Sequence, residues 1–273
     1  MHTYTDIYRN GTSYTDTWYS EETTGLTRDE YTQLNQTMLQ SVYQNGGFWV
    51  GRYEAGIEIN RTSYVTIDDS SALPISKENG YPYTYITCSE AQTLASKVNS
   101  GNYTSSLMFG VQWDLVLKYL EVKAVEKGEK LDTIQNELNL DSGKWGNYYD
   151  ATFKLNRGKY AKIGVLNTWY DYTEDLTSCV IKSVKQSNSS SSNTILLTTG
   201  ASDATSKQNI YDLAGNVWEW SLEYTSDPSR PCTIRGGCYT SAKSDPASKR
   251  SRSMSPTSSG AGSRLPHLTL LVV

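Results

Sequence analysis

Between positions 27 and 47, apolar residues recur at the three- and four-residue spacing of a helix with one buried face. Thr27 and Glu30 have the spacing of a capping box, in which each side chain accepts a hydrogen bond from the other residue's backbone N–H. This spacing predicts the helix start. Gly46 and Gly47 predict its end, because glycine readily adopts the left-handed conformation that closes helices. The predicted buried face carries Tyr31, Leu34, Met38 and Val42.

The same spacing predicts two further helices. One covers about 88–100, with Thr87 and Glu90 as its capping box and Gly101 at its end. The other covers 111–124, "VQWDLVLKYLEVKA".

Strand patterns occupy other parts of the chain. Residues 48–59, "FWVGRYEAGIEI", alternate like a core strand, and 268–273, "LTLLVV", suit a closing strand. Between 140 and 235 the pattern indicates short strands and long loops. Since helices come early and strands late, without regular alternation, the predicted fold class is α+β. We expect one domain over 23–273, preceded by an arm or linker at 1–22.

Composition narrows the class of protein. The 273 residues carry a formal net charge of −4, which argues against a nucleic-acid binder, and no run reaches the ~18–20 apolar residues of a membrane span. The chain has 21 Tyr and 7 Trp but 3 Phe. Tyr and Trp favour surface positions where the ring is buried and its polar group reaches water. The four Cys show no zinc spacing, although Cys232 and Cys238 could approach each other across the turn between them.

Several short motifs then occur in a fixed order. They are "GGFWVGRYEAG" at 46–56, "DLAGNVWEW" at 212–220, "RGG" at 235–237 and "GSRL" at 262–265. Together they resemble the formylglycine-generating enzyme family, also called sulfatase-modifying factor proteins, over roughly 45–265. This resemblance implies a C-type-lectin-like fold with long loops and few helices.

The resemblance also defines where catalysis would reside. Enzymes of that family oxidise a substrate cysteine with a copper ion held by two cysteines after the "RGG" motif. The matching positions here hold Ser241 and Pro246, and neither side chain can act as a thiolate ligand. Cys238 is three residues early and stands alone. We therefore expect the scaffold of the family without its chemistry, and no catalytic residues.

The tract 238–264 has an unusual composition. It holds nine Ser and five Lys or Arg in 27 residues, with Asp245 as its one acid and little to pack a core. It resembles the variable region of proteins diversified by retroelements, several of which use the same lectin scaffold. The alternative is an ordinary solvated or disordered serine-rich loop.

If this resemblance holds, the tract presents a ligand-binding face. Tyr239, Arg250, Arg252 and Met254 are the expected main contacts, since aromatic and Arg side chains dominate interfaces and Met adapts to irregular partners. The expected anchors are Arg235, Gly236, Gly237, Gly262 and Arg264. The full predicted ligand-binding set is Tyr239, Thr240, Ser241, Lys243, Ser244, Asp245, Arg250, Arg252, Met254 and Thr257.

The resemblance also implies a calcium candidate. The matching ligands are the side chains of Asp212 and Glu219 and the carbonyls of Gly215 and Val217, oxygen donors that suit a hard cation. As alternatives, Asp212 caps a turn and Glu219 pairs with Arg235. No cofactor is required by this interpretation, and calcium is the candidate ion.

The predicted function is recognition. We expect a binding module with a diversified surface, on a phage tail within the virion or on a bacterial cell surface, that binds a protein or glycan receptor. The first alternative is a divergent oxidase of the formylglycine-generating type. The second is a carbohydrate-binding lectin of fixed specificity. The sequence leaves the oligomeric state open.

Overall fold

The structure is a computed structural model that describes residue 4 and residues 6–9, 14–98, 103–172, 194–253 and 268–272. Within these ranges the protein is mixed α/β, as the sequence predicts, with its helices before residue 140 and several small sheets. The helices are α1 (Glu21–Thr24), α2 (Arg28–Asn45), α3 (Cys88–Lys97), α4 (Gly110–Glu126) and α5 (Leu131–Asn139).

Local capping explains where two helices start. Thr27 and Glu30 form a capping box before α2, and Thr87 and Glu90 form another before α3, which confirms both predictions. α2 ends at Gly46, whose φ is 78°. α3 ends at Lys97, before the predicted limit at 100, and Gly101 lies outside the described residues. The sequence analysis did not predict α5.

The strands are short and belong to five sheets in the described part of the chain. One sheet, ordered β1-β12-β13-β14, is antiparallel and carries the "RGG" motif at the end of β13. The strands are β1 (Tyr14–Thr15), β2 (Trp49–Val50), β3 (Ala55–Ile57), β4 (Ile75–Ser76), β5 (Tyr81–Pro82), β6 (Tyr103–Leu107), β7 (Gly146–Asn147), β8 (Lys159–Lys162), β9 (Trp169–Asp171), β10 (Ile195–Leu197), β11 (Ala214–Gly215), β12 (Glu219–Thr225), β13 (Cys232–Arg235), β14 (Arg250–Ser253) and β15 (Leu268–Val272).

The remaining sheets are β10-β8-β9, β11-β7, β2-β15-β6 and β4-β3-β5. The predicted single strand at 48–59 is therefore wrong. Its two halves, β2 and β3, belong to different sheets, because Arg52 and Tyr53 between them bond to Tyr211 and Ser76 instead of continuing a ladder. The predicted closing strand is confirmed as β15, which pairs with β2 and β6.

Two large apolar clusters form most of the core in the described ranges. One joins α2 and α3 to the sheet of β12 and β13 through Tyr31, Leu94 and Trp220. The other joins α4 to α5 through residues such as Trp113 and Leu138. No helix in the described ranges is long and apolar enough to cross a membrane.

Part of the segment predicted as an arm or linker contacts the domain. The Tyr8 side chain is fully buried, and its hydroxyl donates to Glu121 Oε2 at 2.6 Å. Strand β1 pairs with the end of β12. Asp16 accepts hydrogen bonds from the backbone N–H groups of Gly110 and Val111, at the start of α4.

Candidate functional site

The "RGG" turn is held by two glycines in the left-handed region. Gly236 has φ of 83°, and a Cβ there would lie 2.9 Å from the Leu213 carbonyl oxygen. Gly237 has φ of 81°, and its Cβ would lie 2.7 Å from both the Asp245 carbonyl oxygen and the Tyr148 ring. Both positions therefore need glycine for space as well as for conformation.

The tryptophan packed against this turn is Trp113, and not one of the two in "NVWEW". The Trp113 ring lies against Gly236, and its indole N–H donates to the Ala247 carbonyl at 2.9 Å. Trp220 is buried elsewhere, with its indole N–H on the Ile86 carbonyl, and Trp218 is only half-buried. "NVWEW" thus supports the larger apolar cluster.

A buried network of four charges lies beneath the turn. Arg235 bonds to Asp114 at 2.7 Å and to Glu223 at 3.0 Å. Arg250 bonds to the same two carboxylates, at 2.6 Å and 2.7 Å, and also donates to the Tyr8 carbonyl. Burial alone would raise the pKa of Glu223, but the two guanidinium groups bring it below its ordinary value. Such a network fixes β13, β14 and α4 relative to one another.

This network overturns part of the predicted binding face. The Arg250 side chain is 2% exposed and fully paired, so it is a structural residue rather than a ligand contact. Tyr239 is 6% exposed and belongs to the larger apolar cluster, with its backbone N–H on the Asn216 carbonyl. The expectation that both side chains face a ligand is wrong, because their partners come from distant parts of the chain.

The next residues behave differently. Ser244 is exposed, and Thr240, Ser241, Lys243 and Asp245 are half-exposed. Three hydrogen bonds to residues 142–150 nevertheless fix their backbone: Tyr149 N–H to Ser241 O, Ser142 N–H to Lys243 O, and Lys243 N–H to the Asp150 carboxylate. A main chain held by backbone bonds tolerates exchange of the side chains that point away from it.

Lys243 borders a polar cavity of about 370 Å³. Its wall combines Lys243 with residues from α5 and the loop after it. The Lys243 ammonium pairs with Asp141 at 2.5 Å, which raises the pKa of Lys243 and lowers that of Asp141. The other polar groups in the wall include Asn136, Glu137, Lys144 and Asp150. The cavity therefore offers hydrogen-bond donors and acceptors to a polar ligand.

Arg252 is the remaining described member of the predicted set. Its side chain is 56% exposed and pairs with Asp227 at 3.1 Å on the surface of the sheet. Met254, Thr257, Gly262 and Arg264 lie outside the described residues.

The positions that match the family's copper ligands lie on the same loop. Ser241 is half-exposed, and Pro246 is buried. The Cys238 thiol is 6% exposed and contacts the hydroxyls of Thr240 and Ser241 at 3.2 and 3.5 Å.

The calcium candidates lie around a buried carboxyl group that the sequence analysis missed. Asp212 and Glu219 are both about 1% exposed, and a carboxylate oxygen of Asp212 accepts from the Gly200 N–H at 2.9 Å. Glu54 is fully buried and accepts from the Asn216 side chain at 2.6 Å. Burial raises the pKa of Glu54 well above its ordinary value, and the charges of Asp212 and Glu219 raise it further.

The two predicted carbonyl ligands lie on the same loop. The Gly215 N–H donates to the Gly236 carbonyl, and the Val217 N–H donates to Glu54. In the described ranges no three His, Cys, Asp or Glu side chains converge as the ligands of a metal ion do. The alternative, an ion pair between Glu219 and Arg235, is not formed. The two residues are neighbours in the β12–β13 ladder, but the Arg235 guanidinium bonds to Asp114 and Glu223.

The missed residues share one weak signal in the sequence. Glu54, Asp114 and Glu223 are each flanked on both sides by an apolar or aromatic residue. An isolated charge at such a position must find a partner when it is buried, although the sequence does not show which one.

Comparison with known proteins adds no identification. No protein-family model matches the chain, and no curated protein matches it. The family resemblance therefore rests on the motifs alone.

Proposed function

We propose that this protein is a binding module in which a fixed backbone presents exchangeable side chains to a protein or glycan receptor. The observation that supports this is the contrast between buried and exposed side chains within residues 235–250. Arg235, Gly236, Gly237 and Arg250 are buried and fully constrained, while 240–245 expose side chains from a backbone pinned by neighbouring loops.

The proposed binding face is smaller than the sequence indicated. It consists of 240–245 with the adjoining polar cavity, and Arg252 on the sheet surface. It requires no cofactor and no nucleic acid. A phage tail or a bacterial cell surface is the location that suits such a receptor-binding face.

Catalysis is not part of the proposal. Ser241 and Pro246 occupy the positions of the family's copper-binding cysteines, and a serine hydroxyl does not replace a thiolate ligand. Purified protein supplied with copper and a sulfatase-type peptide should leave the peptide's cysteine unchanged by mass spectrometry.

Selection for binding tests the proposal. Positions 240, 241, 243, 244 and 252 are randomised together, and the displayed variants are selected against intact bacterial cells and, separately, against purified surface polysaccharide. We expect enriched clones whose binding disappears when the five positions are changed to alanine. If correctly folded variants never enrich on either probe, the binding-face proposal is wrong.

A further inference from the structure

Two thiols lie side by side in the larger apolar cluster. Cys88 is the first residue of α3, and Cys232 is the first residue of β13. Their exposed fractions are 1% and 0%. Ser221, whose carbonyl oxygen contacts the Cys88 sulfur, pairs with Thr233, the residue next to Cys232. The two cysteines therefore meet in the core although they are 144 positions apart in the sequence.

The strand geometry supports this proximity. Alternate residues of a strand face the same side, so Cys232 shares the core side of β13 with Ile234. Ile234 pairs with Trp220 on β12, and the Cys88 sulfur lies 4.0 Å from the Ser221 carbonyl oxygen on the same strand. The Cys232 sulfur lies 3.7 Å from the Thr23 carbonyl oxygen, at the end of β13 nearest α1.

The contact also replaces the pairing that the sequence suggested. Cys238 is close to Cys232 in sequence, but its thiol contacts the hydroxyls of Thr240 and Ser241. Cys238 belongs to the same apolar cluster, but it follows the turn at Gly236 and Gly237 and is not part of β13.

We propose that Cys88 and Cys232 form a disulfide when the chain meets a small disulfide oxidant of the oxidised-glutathione class. One thiolate attacks the oxidant's S–S bond, forms a mixed disulfide and releases one small thiol. The second cysteine sulfur displaces the other small thiol. The protein loses two S–H bonds and gains one S–S bond, and two electrons and two protons leave on the two small thiols.

Burial decides when the reaction occurs. The neighbouring Cys232 thiol and burial raise the pKa of Cys88, so little nucleophilic thiolate exists in the folded protein. The bond should therefore form during folding or during local opening near α1. It would tie the start of α3 to the sheet that carries the "RGG" turn, without involving the proposed binding face.

The test refolds the full-length chain with oxidised and reduced glutathione, or with reductant alone. With the oxidant we expect a mass lower by about 2 Da, because the couple transfers two electrons and two protons. Peptide mapping should join the peptides of Cys88 and Cys232. The bond closes a long loop, so Tm should rise by about 5–15 °C over the reduced protein.

Variants identify the bond. Cys88→Ala and Cys232→Ala should each abolish the mass change, whereas Cys238→Ala and Cys179→Ser should retain it. Peptide mapping of the unmodified chain decides the matter even if a variant fails to fold. The proposal is overturned if Cys88 and Cys232 both remain open to alkylation after oxidative refolding, or if either is bonded to Cys179 or Cys238. These outcomes are independent of receptor binding.

Discussion

At the scale of single residues, two arginines two positions apart have opposite environments. Arg250 is buried between Asp114 and Glu223, and Arg252 is exposed beside Asp227. Removing one partner from a buried ion pair costs about 3–5 kcal/mol, because the remaining charges lose their compensation. Arg250→Ala should lower the free energy of unfolding by that amount in urea denaturation.

Arg252→Ala is the matched control. An exposed ion pair contributes about 0–1 kcal/mol, so this variant should unfold near the wild-type midpoint. Equal losses for the two variants would contradict the assignment of Arg250 to the structural network.

Gly237 tests close packing at the turn. Gly46 and Gly237 both have positive φ, but a Cβ at Gly46 meets nothing within 4 Å, whereas one at Gly237 meets Asp245 and Tyr148. Gly46→Ala should cost about 1 kcal/mol for its conformation alone. Gly237→Ala should cost about 1–3 kcal/mol more because of the overlap. Thermal melts of the two variants give the comparison, and similar Tm losses would refute the close approach.

Substitutions of Glu54 test whether a proton neutralises its buried carboxyl group. Burial and the charges of Asp212 and Glu219 raise its pKa well above the ordinary value, which favours the protonated form of this carboxyl group. Glu54→Gln should then unfold within about 1 kcal/mol of wild type, while Glu54→Ala should lose about 2–4 kcal/mol through a cavity and unpaired N–H groups.

The same melts are repeated with calcium and with a chelator. If the proton is the neutralising species, Tm of the wild type should be equal in both. A calcium-dependent rise in Tm that Asp212→Asn removes would instead support the cation site and contradict this account of Glu54.

At the scale of elements, Asp16 links the N-terminal segment to α4. Burial raises its pKa to about 7, with a contribution from the charge of Glu223, while the N–H groups of Val111 and Gly110 act in the opposite direction. Between about pH 4 and 7 the unfolded chain releases this proton and the folded chain retains it. The contribution of Asp16 to stability therefore falls as pH rises through that window, by roughly 3–5 kcal/mol.

Asp16→Asn should remove this dependence. The difference in Tm between wild type and Asp16→Asn, measured by thermal melts, should change between pH 4 and 7. Parallel profiles for wild type and Asp16→Asn would show that Asp16 does not titrate in this range.

The helices and strands also show which structural features the sequence predicts correctly. The capping boxes at Thr27 and Thr87 were predicted correctly, because all their atoms lie within four residues. The strand at 48–59 was wrong, because bonds from Arg52 and Tyr53 to distant residues break it. Alternation of side chains does not reveal such bonds.

At the scale of the whole molecule, the same limit applies to the candidate site. The turn glycines were predicted, since local conformation demands them. The burial of Arg250 was not, since Asp114 lies 136 positions away in the sequence. Composition identified a tract poor in core residues, but only the fold separates its exposed side chains from the structural ones.

That separation is the central claim, and one measurement tests it directly. Each position from 235 to 252 is substituted with all amino acids, the library is displayed on cells, and the amount of folded protein is measured for every variant. We predict near wild-type display for most substitutions at 240, 241, 243, 244 and 252, and loss of display at 235, 236, 237 and 250. Equal tolerance at the two sets of positions, or loss of display at the exposed set, would contradict the account.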